Sequence, residues 1–287
     1  MSATEAFAAE ELDGVLVGPV RRPVNVSRAD KGSIHDDDTA QALGFRGGTV
    51  AANIHFEQFP PLLLKRFGPQ WWRTGGLSLH FLSPTTHGEP VRAFVGPSEA
   101  GQLPRATAWM ETAEGVPVCE GTAWAGGDDP NSALRQRLAG LRPAADLRML
   151  AASKVGDEVH DVPSRLDSVR ALARLEGITE PLPEYRERKV AAPAVAIDAL
   201  RAVEGPLFRS DAEAVGMFGA IELQFLDGPI RLDHDYLADG RVVGLSESPK
   251  TEIAWYESVL REASTGRRVA RLLMMSRLLK ASSPLWA

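Results

Sequence analysis

The sequence is poor in cysteine. Cys119 stands alone among 287 residues, so no intrachain disulfide forms and no zinc site can be built on clustered thiolates. Long apolar runs are missing as well: nothing approaches the ~20 residues that a membrane-spanning helix needs. Lysine and arginine nowhere gather into a block, and 38 acidic residues against 32 basic ones give a formal net charge of -6, which argues against nucleic acid as a partner. The opening Met1-Ser2-Ala3-Thr4-Glu5-Ala6-Phe7 lacks the basic-then-apolar order of a secretory signal. A protein of the reducing cytoplasm, without membrane contact, is the expectation that these absences leave.

What is present suffices for a sizeable core. Hydrophobic residues make up 44% of the chain, and its length suits one large domain or two ordinary ones. After a loosely packed start, segment 37–43 predicts a short helix, acidic in its first turn and closed by Gly44. Segment 49–59 predicts a more apolar helix, which Pro60-Pro61 ends or kinks before 62–67. Apolar alternation predicts strands over 77–82 and 91–95, then a hairpin of 105–112 with 116–124 turning at Gly115, where Pro117 points to an edge or a bulge. Residues 126–153 read as a linker carrying one or two surface helices. The same order then returns, with helices over 168–175 and 193–203 and strands over 220–226, 241–245, 250–261 and 267–280.

The return is traceable in particular residues. Val50-Ala51-Ala52-Asn53 recurs as Val190-Ala191-Ala192-Pro193, an offset of 190 − 50 = 140. Leu79-His80-Phe81-Leu82 recurs as Leu223-Gln224-Phe225-Leu226, an offset of 223 − 79 = 144. Each long hairpin carries an Ala-Trp pair, Ala108-Trp109 or Ala254-Trp255, ahead of a glycine turn. Internal duplication explains this most simply. The boundaries drawn are 1–127 for the first half, 128–160 for the linker and 161–287 for the second half.

Within the first half, Asp30 precedes His35 by five positions, just ahead of two predicted helices. A carboxylate and an imidazole beside a helix start can activate water next to a polarised carbonyl, since unpaired backbone N–H groups there favour developing negative charge.

With Ile34, Asp37, Ala40 and Gly44-Phe45 at matching spacing, and with Leu79-His80-Phe81, Pro84 and Gly88-Glu89-Pro90-Val91 further on, the first half resembles the MaoC-like (R)-specific enoyl-CoA hydratase family. The resemblance implies an α+β double hotdog, two antiparallel sheets each wrapped around a central helix. It implies hydration of a 2-enoyl thioester, or dehydration of a 3-hydroxyacyl thioester, carried on coenzyme A or acyl carrier protein. No redox cofactor and no metal are implied, and a homodimer is an allowed assembly. Two departures stand out: Gly32 and Ser33 replace the family's Asn and Pro, and Ala51-Ala52-Asn53 replaces His-Gly-Met. An offset of 140 places Arg170 and Leu175 opposite Asp30 and His35, so the second half is expected to be catalytically silent.

The resemblance assigns the water to Asp30 and His35, and the thioester to the helix start through Gly48, Thr49, Ala52 and Asn53; the same helix start could equally just meet solvent. Trp71 and Trp72 wall an acyl pocket, or else fill the core or a subunit contact. Glu57 is the alternative catalyst, of a hotdog thioesterase, or else a solvated or interface glutamate; two positions from His55, it cannot pair with that ring locally. A non-catalytic acyl-binding protein is the third reading. Asp36, Asp37 and Asp38 at a helix start are better explained by the helix dipole than by a metal. His80 and His234 read as core or edge histidines, and Cys119 as a small buried apolar residue.

Overall fold

Alternating apolar positions close into one antiparallel sheet in the computed structural model, which describes residues 9–99, 101, 103–208 and 214–287. Residues 1–8, where a loosely packed start was expected, lie outside the described set. In chain order the strands are β1 (Glu10–Leu12), β2 (Val15–Val17), β3 (Gly76–Phe81), β4 (Val91–Val95), β5 (Arg105–Thr112), β6 (Pro117–Trp124), β7 (Glu158–Arg165), β8 (Gly216–Phe225), β9 (Asp235–Glu247), β10 (Thr251–Glu262) and β11 (Arg268–Leu279). The helices that position the site are α1 (Asp37–Ala42), α2 (Ala52–Phe56), α3 (Pro60–Phe67), α4 (Trp71–Thr74), α5 (Ala133–Ala139), α6 (Ser168–Arg174), α7 (Pro183–Glu187), α8 (Pro193–Leu200) and α9 (Glu204–Leu207).

Strand order is β1-β2-β4-β5-β6-β3-β8-β11-β10-β9-β7, eleven strands in a single sheet. Two sheets, each wrapped around a helix and paired into one unit, were expected; the two instead run on as one continuous sheet. β3 and β8 each end their own half, and two apolar strand edges left open would invite foreign pairing, so they pair with each other. Leu77 faces Leu223, Leu79 faces Ile221, and Ser78 faces Glu222. Ser78 and Glu222 are 222 − 78 = 144 positions apart, the offset that relates the repeated segments, so an approximate twofold axis passes between them.

The linker covers that axis. On α5, the Leu134 amide donates to Ser78 Oγ at 3.0 Å, the Ser132 hydroxyl donates to the Glu222 carboxylate, and Arg135 Nε reaches it at 3.1 Å. Buried polar groups at the seam are thereby satisfied rather than exposed. β7 begins at Glu158, inside the range read as linker.

Proline sets the helices. Pro60 and Pro61 occupy the first turn of α3, where a missing N–H costs little, and they separate α3 from α2. Pro193 likewise opens α8, which runs unbroken and buried through Leu200. Pro117 is the first residue of β6, at a register shift against β5. One apolar core spans both halves, and at its seam Trp71 meets Phe225 at 5.4 Å and Trp72 meets Tyr185 at 6.0 Å, all edge to face.

Candidate active site

His35 is held by its backbone before its ring is considered. Its carbonyl accepts from Asn25 Nδ2 at 2.8 Å, and its amide donates to Ser33 Oγ at 3.2 Å. Ring Nδ1 lies 2.8 Å from the Thr49 carbonyl. A carbonyl only accepts, so Nδ1 carries the proton and Nε2 is left with its lone pair, the form a general base needs. Asp30 is exposed, its backbone fixed by a turn in which Ser33 amide and hydroxyl both donate to the Asp30 carbonyl. Its carboxylate takes no hydrogen bond from any described residue.

Gly48 brings the helix start against His35. A Cβ added there would sit 2.2 Å from the His35 carbonyl oxygen, so only glycine fits. The Gly48 amide donates to Asp37 Oδ1 at 2.8 Å, and Arg28 holds the other oxygen at 2.8 Å. Those two contacts keep the Asp37 carboxyl below its usual range. Gly48 and Thr49 therefore offer no amide to a ligand, since the Thr49 amide donates to the Ile34 carbonyl. The amides of Ala51, Ala52 and Asn53 make no hydrogen bond with any described residue, and no side chain caps α2.

Two adjoining cavities share His35, Ala51, Gly216, Met217 and Phe218 as common walls. The smaller, of about 90 Å³, is completed by Thr49, Ala52, His55, Thr85 and Arg277 among others. The larger, of about 510 Å³, is bordered by Asp30, Asn53 and a charged cluster from the second half. In that cluster Arg174 reaches Asp198 at 3.1 Å, Arg201 reaches Glu204 at 2.6 Å, and the Tyr256 hydroxyl donates to Glu204 at 2.5 Å. Asp30 and His35 are thus brought to one cavity together with Asn53, and Thr49 and Ala52 to its neighbour. Sequence reasoning missed Arg174, Asp198, Arg201, His55 and Thr85, which only tertiary packing gathers; the unbroken apolar pattern around Asp198 was the one signal that a charge there is not on a solvated face.

The remaining candidates lie elsewhere. Trp71 and Trp72 are core residues at the seam and border neither cavity. Glu57 is fully buried between the halves, where its carboxylate accepts from the Ala194 amide in the first turn of α8 and from the Tyr185 hydroxyl at 3.3 Å. Burial pushes its carboxyl up to about 8, against the pull of those two donors. It borders neither cavity. Asp36 caps α1 through Thr39 and shares Lys31 Nζ with Asp38, while Asp37 holds Gly48, so the chain's own donors occupy all three carboxylates. His80 Nε2 accepts from Arg277 at 3.1 Å, and burial pushes the Cys119 thiol up. No helix among the described residues is long and apolar enough to cross a membrane.

No protein-family model matches the sequence, and no curated protein matches it. Solved structures do. A chain from Chloroflexus aurantiacus described as a MaoC domain protein dehydratase superposes with a TM-score of 0.63 at 12% identity, over 94% of this chain and 95% of that one. A conserved Mycobacterium tuberculosis protein described as a double hotdog gives 0.62 at 14% identity, over 93% and 96%. A protein described as a MaoC-like dehydratase gives 0.54 at 13% identity, over 96% and 99%. At such identities the likeness is one of architecture: in fold, the chain is a double hotdog and is similar to MaoC-like dehydratases.

Proposed function

We propose that the chain adds water to a 2-enoyl thioester, or removes it from a 3-hydroxyacyl thioester, with Asp30 and His35 sharing the water. The observation that carries this reading is the His35 ring, whose Nδ1 is engaged by the Thr49 carbonyl, bordering both cavities beside the unpaired amides of Ala51 and Ala52.

The chemistry follows from those groups. His35 Nε2 takes a proton from the water while Asp30 accepts its other hydrogen and orients it. The hydroxide oxygen bonds to the β-carbon, and the double-bond electron pair moves through the α-carbon onto the thioester oxygen, where N–H donors stabilise it. The α-carbon then takes the proton back, and dehydration is the reverse. Oxidation state does not change overall, so no redox partner enters the balance.

Hydrolysis through Glu57 loses its support from the burial of that carboxylate. The test is to supply crotonyl-CoA and follow the conjugated enoyl absorbance and free thiol separately. Loss of absorbance without thiol, abolished in Asp30→Asn, supports the proposal; thiol release, or a panel of thioesters that binds without turnover, defeats it. Loading the acyl group on acyl carrier protein in parallel decides the carrier.

A further inference from the structure

Three buried hydrogen-bonding side chains border the smaller cavity, and two of them keep an atom without a partner. His55 on α2 is 2% exposed, and its Nε2 lies 2.7 Å from the hydroxyl of Thr85, which is 1% exposed. His55 Nδ1 has no partner, and neither does Thr49 Oγ1. All three side chains border the cavity that also holds one face of His35.

Donors can be counted. Burial holds the His55 imidazole down at about 4, so at neutral pH the ring is uncharged and has a single N–H. The Thr85 hydroxyl has a single O–H. One hydrogen bond joins them and uses one of the two. If threonine donates, Nδ1–H is left over; if the ring donates, the Thr85 O–H is left over. Either tautomer leaves one buried donor unpaired in the cavity that the Thr49 hydroxyl also borders, and an unpaired buried donor is costly to keep unless a ligand brings the acceptor. The apolar walls, Ile34, Phe81 and Leu82, suit a carbon-bound oxygen rather than a hydrated ion.

Resting on the reaction proposed above, we propose that the His55–Thr85 pair, with the Thr49 hydroxyl, receives the thioester carbonyl oxygen of the bound acyl group. As the hydroxide oxygen bonds to the β-carbon and the electron pair moves toward the carbonyl, these neutral donors meet the growing negative charge, and they release it when the α-carbon is protonated. The function belongs to an imidazole and two hydroxyls that lie 36 residues apart at most (85 − 49), and it supplements the amides of Ala51 and Ala52.

The test uses unreactive ligands. Butyryl-CoA has the carbonyl, and its S-butyl thioether analogue lacks only that oxygen. Calorimetry on the wild-type chain should give the thioester about tenfold tighter binding than the thioether. Thr85→Val and His55→Phe should each shrink that preference to within about twofold while changing thioether affinity little, and the double variant should lose no more than either single one, as expected of a coupled pair. With crotonyl-CoA, each variant should lower kcat about 100-fold and move KM less than threefold. Thermal unfolding checks that each variant folds, and Thr85→Val alone carries the test if His55→Phe does not. Variants that keep the wild-type preference overturn the inference. Wild-type chain that prefers the thioester but never hydrates an enoyl thioester overturns the reaction and leaves the carbonyl receptor standing; wild-type chain that binds neither ligand overturns both.

Discussion

The two halves build the same helix-on-sheet unit and finish its helix start differently. In the second half α8 opens with Pro193, and the Ala194 amide is met by the carboxylate of Glu57, which the first half inserts. In the first half α2 opens onto a cavity, with the amides of Ala51, Ala52 and Asn53 unpaired and His35 alongside. Opposite His35, 140 positions on, stands Leu175, buried at 5% exposure in the core. One helix start is plugged by a carboxyl group from the chain itself and packed over, and the other borders a cavity with its amides unpaired. The proposed site thus lies where one copy of the repeat lacks the internal partners that its sister receives.

The largest expected break in this comparison comes from His35→Gln, which should lower turnover by about 10²- to 10⁴-fold, whereas Leu175→Met should leave steady-state rates within about twofold and cost under about 1.5 kcal/mol in denaturant unfolding. Gly48→Ala should follow. Its Cβ cannot coexist with the His35 carbonyl at 2.2 Å, and a displacement near 1 Å at a base costs about 100-fold in kcat. A crystal structure of that variant should show His35 moved.

Glu57 sharpens the comparison through pH. Its folded carboxyl titrates at about 8, above the ordinary 4.5, so its contribution to stability is complete below 4.5 and is lost as pH rises toward 8. Wild-type melting temperature should therefore fall across that window, and Glu57→Gln should flatten the fall while leaving enoyl turnover unchanged. Glu57→Ala strands the Ala194 amide and should cost about 1–3 kcal/mol at neutral pH. The smallest effect separates two caps of like design. Asp36 accepts from the Thr39 amide at the start of α1, and Asp167 from the Arg170 amide at the start of α6. Asp167→Ala should cost about 1 kcal/mol and nothing in rate, whereas Asp36→Ala, beside the His35 loop, should reduce rate as well.

Much of this architecture is legible in local pattern. The break at Pro60-Pro61, the hairpin at Gly115 and the long strands β10 and β11 follow from proline geometry and from alternation. β1 and β2 escape because three residues give no period, although Leu12-Asp13-Gly14-Val15 is a two-residue turn signal and both turn residues take positive φ. β7 escapes because an edge strand interrupted by Pro163 and mostly exposed lacks an apolar face. The site divides in the same way. Asp30 and His35 share one loop and can be read together; the union of His55 with Thr85, of Gly48 with Asp37, and of Glu57 with Ala194 depends on distances between segments 11 to 137 residues apart. Sequence spacing within one element cannot encode such meetings. The fate of Glu57 and of the Trp71-Trp72 pair turned on the seam between halves, which exists only once β3 has paired with β8.

The most direct measurement is the rate at which crotonyl-CoA loses its enoyl absorbance with wild-type chain, Asp30→Asn and His35→Gln side by side at equal concentration. Catalysis by the wild type with at least about 100-fold loss in both variants, each still folded, is the result expected. Equal rates in all three would contradict a shared water at the first-half helix start.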